Sequence, residues 1–157
     1  MNALFNHVLL AYDGSPDSQK ALEIAEGITR QSDARLYLVF VEGHDPYNHP
    51  APYDNEALND PNQNFPNISQ MNSYEDVERL ADSVMEQAKS EVSKDIDVRF
   101  DVLTGPPERR IIQYSEENDI DLIVIGNRGL GGVKRFVMGS ISHKVSNDAH
   151  CPVLVTK

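Results

Sequence analysis

The sequence predicts an α/β protein: one domain built on an open parallel sheet with helices packed over it. Segments of strand character alternate with segments of helical periodicity from His7 onward, the pattern of repeated strand–helix units. The apolar run Leu122-Ile-Val-Ile125 also passes directly into a glycine-rich stretch at 126–140. Glycine there lets the backbone turn with φ > 0 and come close to a ligand, so a ligand is expected beyond the strand's end. A length of 157 residues suits one domain with a single sizeable core.

Each element has its own local warrant. His7-Val-Leu-Leu-Ala-Tyr12 is the first predicted strand. Asp13-Gly-Ser15-Pro16 then supplies a turn, an N-cap serine and a proline at the first helical position. Ala21, Leu22, Ala25 and Ile28 follow at helical spacing. Leu36-Tyr-Leu-Val-Phe-Val41 is the second strand. Residues 43–72 are rich in Pro, Asn and Asp and lack periodicity, which leaves a mobile insert and an ordered lid both open. His44 and His49 lie in that insert without a cysteine cluster or helical i,i+4 spacing, so they read as solvated rather than metal-binding. Ser73 with Asp76 has the form of a capping box ahead of Val77, Leu80, Ala81, Val84, Ala88 and Val92, an apolar stripe on a charged helix. A third strand is expected at 98–103, a third helix at 106–117, a fourth strand at 121–125, a last helix at about 140–148 and a fifth strand at 153–155. Gly105-Pro-Pro is explained by a turn and a proline helix start. No internal repeat or second-domain linker is visible.

Composition narrows the function. A content of 39% hydrophobic and 25% charged residues suits a soluble globular protein. No run approaches the ~20 apolar residues that span a bilayer, and Met1-Asn-Ala-Leu-Phe-Asn-His7 lacks the regions of a signal peptide, so a cytoplasmic place is expected. Cys151 stands alone, between His150 and Pro152 before a strand, and reads as a packed thiol rather than a nucleophile. A net charge of -11 disfavours nonspecific contact with nucleic acid or anionic membranes. Against that background, residues 122–147 carry Arg128, Lys134, Arg135 and Lys144 and no acidic side chain, which points to a small anionic ligand. Each exposed cation also has a plain reading as part of a solvated face.

Spacing separates the phosphate motifs these glycines could form. A Walker A loop fits Gly126 and Gly131, but Gly132 stands where its lysine belongs. A dinucleotide fingerprint begun at Gly129 and Gly131 meets Lys134 at its third glycine. The pattern that remains is Gly126, two residues, Gly129, nine residues, Gly139-Ser140, continuing into Ser142-His-Lys-Val145 and Ala149-His-Cys-Pro152-Val-Leu-Val-Thr156. This resembles the ATP-binding subgroup of the universal stress protein (UspA-like) family over nearly the whole chain.

The resemblance implies a Rossmann-like sheet of five strands in the order 3-2-1-4-5, with the ligand where the ends of strands 1 and 4 meet. It implies ATP as ligand, with Ala11, Tyr12 and Asp13 beside it and Asp13 near the ribose or a phosphate-bound Mg2+. Val41 would hold the adenine edge through its backbone. Gly126, Gly129, Gly139, Ser140 and Ser142 would carry the phosphates; apart from the resemblance, the charge of Arg128 could neutralise them further, and Ile141 between the two serines joins the candidate ATP-binding residues. It further implies a homodimer paired through residues 152–156, which would cover an apolar edge strand. Independently, a helix opening at Gly139-Ser140 offers unpaired N–H donors and a partial positive charge to phosphate. Asp13-Gly14 is also a common turn pair. No catalytic constellation is placed by motif, and the Ser-Gly-Gly-x-Asp-Ser loop of related ATP pyrophosphatases is replaced by Tyr12-Asp-Gly-Ser15. The expectation is therefore a nucleotide-dependent regulatory or stress-survival protein. A slow Mg-dependent ATPase or self-phosphorylating protein, and a nucleotide-free interaction module, stand as alternatives.

Overall fold

The structure, a computed structural model, describes residues 3–43, 74–128 and 138–157. Its elements run β1 (His7–Ala11), α1 (Pro16–Ser32), β2 (Arg35–Glu42), α2 (Tyr74–Glu91), β3 (Val98–Thr104), α3 (Pro107–Glu117), β4 (Leu122–Gly126), α4 (Ser140–Asp148) and β5 (Val153–Thr156). The strands form one sheet in the order β3-β2-β1-β4-β5. Every neighbouring pair is parallel, with Ala11 beside Val39 on one side and Ile125 on the other.

The two-residue period of a strand sends alternate side chains to opposite faces. Val8, Leu10, Leu36, Leu38, Leu122 and Val124 therefore face one cluster, filled from α1 by Ala21, Leu22 and Ala25 and from α2 by Leu80, Ala81, Val84, Met85 and Ala88. Leu9, Tyr37, Val39, Ile123 and Ile125 face the other, closed by Ile111 and Tyr114 of α3 and Val145 of α4. Both faces of the central strands are covered, and all five residues of β4 are buried, which accounts for its unbroken apolar run. Cys151 packs against the second cluster, and burial pushes its thiol pKa up, as expected of a packed thiol.

The helix ends follow local chemistry. Ser15 caps α1, its hydroxyl accepting the Ser18 N–H at 3.2 Å, and Pro16 opens the helix. At the other end Asp33 adopts φ 51° and donates its N–H to the Thr29 carbonyl, a left-handed cap that a short polar side chain tolerates. The predicted Ser73 cap of α2, His44, His49 and all of the 43–72 insert after Gly43 lie outside the described residues. Predicted strand limits shift by about one residue: Tyr12 ends outside β1, although its N–H still donates to the Val39 carbonyl at 2.9 Å. Among the described residues no helix is long and apolar enough to cross a membrane.

Candidate functional site

The ends of β1 and β4 lie side by side, and the chain leaves them in opposite directions. After β1 it runs into α1 over the first cluster, and after β4 it reaches α4 over the second. Such a reversal opens a crevice beyond the carboxyl ends of the strands. Two helices begin at its rim, at Pro16 and at Ser140, each with first-turn N–H groups that lack intrahelical acceptors.

On the β1 side, Ala11 and Val41 pack against the second cluster at strand ends. Tyr12 turns the other way. Tyr12 is 2% exposed, its ring lies in the first cluster and its hydroxyl donates to Glu91 Oε2 at 2.8 Å, so its side chain is committed to that cluster. Desolvation first, and the Glu91 carboxylate second, raise the phenol pKa well above its usual value near 10.0. Asp13 Oδ1 accepts the Ser15 N–H at 2.9 Å, and Gly14 follows at φ 81°. This is an Asx turn that brings the Asp13 carboxylate back to the start of α1.

On the β4 side the glycines have packing duties that the sequence did not disclose. The expected positive φ is absent at Gly126 and Gly139; among the described glycines only Gly14 and Gly105 have it. A Cβ on Gly126 would lie 2.9 Å from the Asp17 carbonyl carbon and 3.0 Å from the Ser18 nitrogen. Gly126 thus lets the first turn of α1 rest on the strand's backbone. A Cβ on Gly139 would lie 2.5 Å from the Asn127 oxygen. Its absence permits the Gly139 N–H to donate to that oxygen at 2.9 Å.

That bond closes a neck between the two ends of the glycine-rich stretch. Asn127 is held from three directions: its N–H donates to the Thr156 carbonyl at 2.7 Å, and its carbonyl receives Gly139 N–H and the Ser142 hydroxyl, the latter at 3.0 Å. Ser142 is 2% exposed, with the Gly139 carbonyl also 3.0 Å away, so its hydroxyl points into the neck. Ser140 and Ile141 lie on the exposed side of the same turn. Arg128 donates its N–H to Asp17 Oδ2 at 3.1 Å, and its Nε lies 3.4 Å from the same oxygen. Lys144 pairs with Glu108 at 3.5 Å. Gly129, Lys134 and Arg135 lie outside the described residues.

The structure thus brings Ala11, Tyr12, Asp13, Gly126, Arg128, Gly139, Ser140, Ile141 and Ser142 to the facing ends of β1 and β4 and the start of α4, with Val41 one strand away on β2. Sequence reasoning missed Asp17, Asn127 and Thr156, and it saw Ser15 only as a cap. Asp17 carried one local signal, an acid in the first turn of a helix, which says nothing of Arg128. Among the described residues no three His, Cys, Asp or Glu side chains form a metal-sized group.

Comparison with known proteins gives the arrangement a lineage. The chain is 30% identical over 159 residues to universal stress protein YxiE of Bacillus subtilis, covering 98% of this chain and 100% of that one. Its fold matches universal stress protein UspA from Lactobacillus plantarum with a TM-score of 0.70 at 23% identity, over 99% and 100% of the two chains. It also matches the universal stress protein of Archaeoglobus fulgidus in complex with dAMP, with a TM-score of 0.66 at 20% identity and 99% of each chain covered. The model of the universal stress protein family matches residues 4–157, and this chain belongs to that family.

Proposed function

We propose that the chain is a cytoplasmic ATP-binding stress protein that acts through nucleotide-dependent conformation or contacts rather than through efficient catalysis. The observation that carries this reading is the neck at Asn127–Gly139, which holds the end of β4 against the start of α4 at the crevice between β1 and β4. N–H groups at a helix start and a crevice at the sheet's reversal suit a phosphate chain, and the glycine spacing of the sequence from 126 to 139 suits close backbone approach. That the A. fulgidus protein is described with dAMP supports an adenine nucleotide as the class.

In this reading Val41 holds the adenine edge by its backbone, and Ala11, Tyr12 and Asp13 border the ribose. Gly126, Arg128, Gly129, Gly139, Ser140, Ile141 and Ser142 surround the phosphates, while Asp13 meets phosphate-bound Mg2+. Two copies pair through β5.

Denaturing the purified protein and identifying released nucleotide by chromatography and mass spectrometry tests this. ATP near one per subunit is the expected result. Mostly ADP, regenerated after loading with fresh ATP, would replace the reading with a slow ATPase. An empty protein that also ignores added Mg-ATP would leave an interaction module.

A further inference from the structure

We infer that Ser15 and Asp17 form a clamp that positions Arg128, the residue leading into the glycine-rich stretch, and thereby sets nucleotide affinity. This rests on the ATP-binding reading and adds two positioning residues to it. Both polar groups of the Arg128 peptide unit are held by the first turn of α1. Its N–H donates to Asp17 Oδ2 at 3.1 Å, and its carbonyl accepts the Ser15 hydroxyl at 3.3 Å. The same Ser15 oxygen accepts the Ser18 N–H, so the helix cap and the clamp share one atom.

Asp17 has the wrong charge for its place unless it does something of this kind. A carboxylate beside an anion crevice repels the ligand, and its side chain, 9% exposed, has given up most of its hydration. The start of α1 offsets part of that penalty. The helix dipole asks only for an acid in the first turn, and this one also reaches across to Arg128, two residues past the end of β4. Thr156 reinforces the placement by donating its hydroxyl to the Asp17 carbonyl at 3.2 Å, and Gly126 does so by leaving the backbone of Asp17 in direct contact with the strand. Residue 128 is therefore fixed from α1 while residue 127 is fixed from β5 and the start of α4.

The test compares Mg-ATP affinity by calorimetry with hydrogen exchange at the Arg128 amide, in the full chain and under conditions where circular dichroism shows each variant folded. Asp17→Ala should weaken binding about tenfold or more, the scale of one lost hydrogen bond to a charged group, and should free the Arg128 amide. Asp17→Asn keeps an acceptor for that N–H and should recover most of the affinity, a rescue that loss of general stability would not give. Should Asp17→Ala fail to fold, Ser15→Ala decides, with an expected loss of about threefold.

Wild-type affinity in folded Asp17→Ala or Ser15→Ala, or an Asn variant as weak as the Ala one, overturns the clamp while leaving ATP binding intact. A wild-type protein that binds no nucleotide overturns the functional reading instead. The clamp is then judged on exchange alone: an Arg128 amide protected in the wild type and freed in Asp17→Ala supports it, and one exposed in both overturns it.

Discussion

Three glycines show how far a residue's role depends on what surrounds its missing Cβ. Gly27 sits inside α1, and a Cβ there would meet nothing within 4 Å. Alanine removes the entropy penalty of a helical glycine, so Gly27→Ala should raise stability by about 0.5–1 kcal/mol in urea unfolding. Gly126→Ala should do the reverse. Its Cβ would press at 2.9–3.0 Å on the backbone of Asp17 and Ser18, and backbone at a helix start cannot swing aside as a side-chain tip does. A loss of about 1–3 kcal/mol is expected in the same experiment. Both residues are simply glycine in the sequence. Gly126 was legible as part of a spacing pattern and as the end of an apolar run, but its reason, the first turn of α1, comes from residues far back in the chain. Asp17 was illegible for the same cause: its partner Arg128 stands 111 positions away. Ser15 was half legible, because a cap bonds three residues on and the Arg128 carbonyl does not.

At the scale of elements, strands and helices were legible wherever one period ran long enough, and each boundary depended on a cap or a turn. The pairing of elements was less so. Strand order came from family resemblance, since periodicity shows which face is apolar but not which neighbour it meets. The tie between β1 and α2 is a case: Tyr12, just past β1, reaches Glu91, the last residue of α2, across 79 positions. Glu91 is steadied by Gln87, whose amide donates to Oε1 at 2.8 Å. Tyr12→Phe should lower stability at neutral pH by about 0.5–1.5 kcal/mol, the net worth of one hydrogen bond. The pH dependence follows in sign. The phenol pKa is raised in the folded state, first by burial and then by Glu91. Its contribution is whole below the unfolded value near 10.0 and declines above it, as the unfolded chain releases a proton the folded one retains. The stability gap between wild type and Tyr12→Phe should therefore be constant from pH 7 to about 9 and shrink from pH 10 upward. Urea midpoints across that range check it, and a gap that widened at alkaline pH would show that the phenol ionises more easily when folded.

For the molecule as a whole, the sheet has two unequal edges. Along β3, Arg99 and Asp101 form an ion pair at 2.8 Å and the strand is largely half-exposed or exposed, features that discourage pairing with another chain. β5 differs. It is four residues of Val-Leu-Val-Thr, with Leu154 37% exposed and no charged side chain. The Pro152 and Thr156 carbonyls accept the Ile123 and Asn127 N–H groups. In a parallel ladder the residues between them in alternation, Val153 and Val155, thus turn their N–H and C=O outward. A second copy brought in by a two-fold axis would meet those groups with its own, and two five-stranded sheets would join across β5. On this reading Val155→Pro is a selective lesion. It removes an outward donor and sets a ring on the open edge, where proline is tolerated within one subunit. The ladder to β4 and the crevice remain. Light scattering should find the wild type at twice the 17.6 kDa chain mass and the variant at the single mass, under conditions where circular dichroism shows both folded. A variant that stayed at twice the mass would place the contact between copies elsewhere on the surface. A wild type already at the single mass would leave the open apolar edge of β5 uncovered in solution.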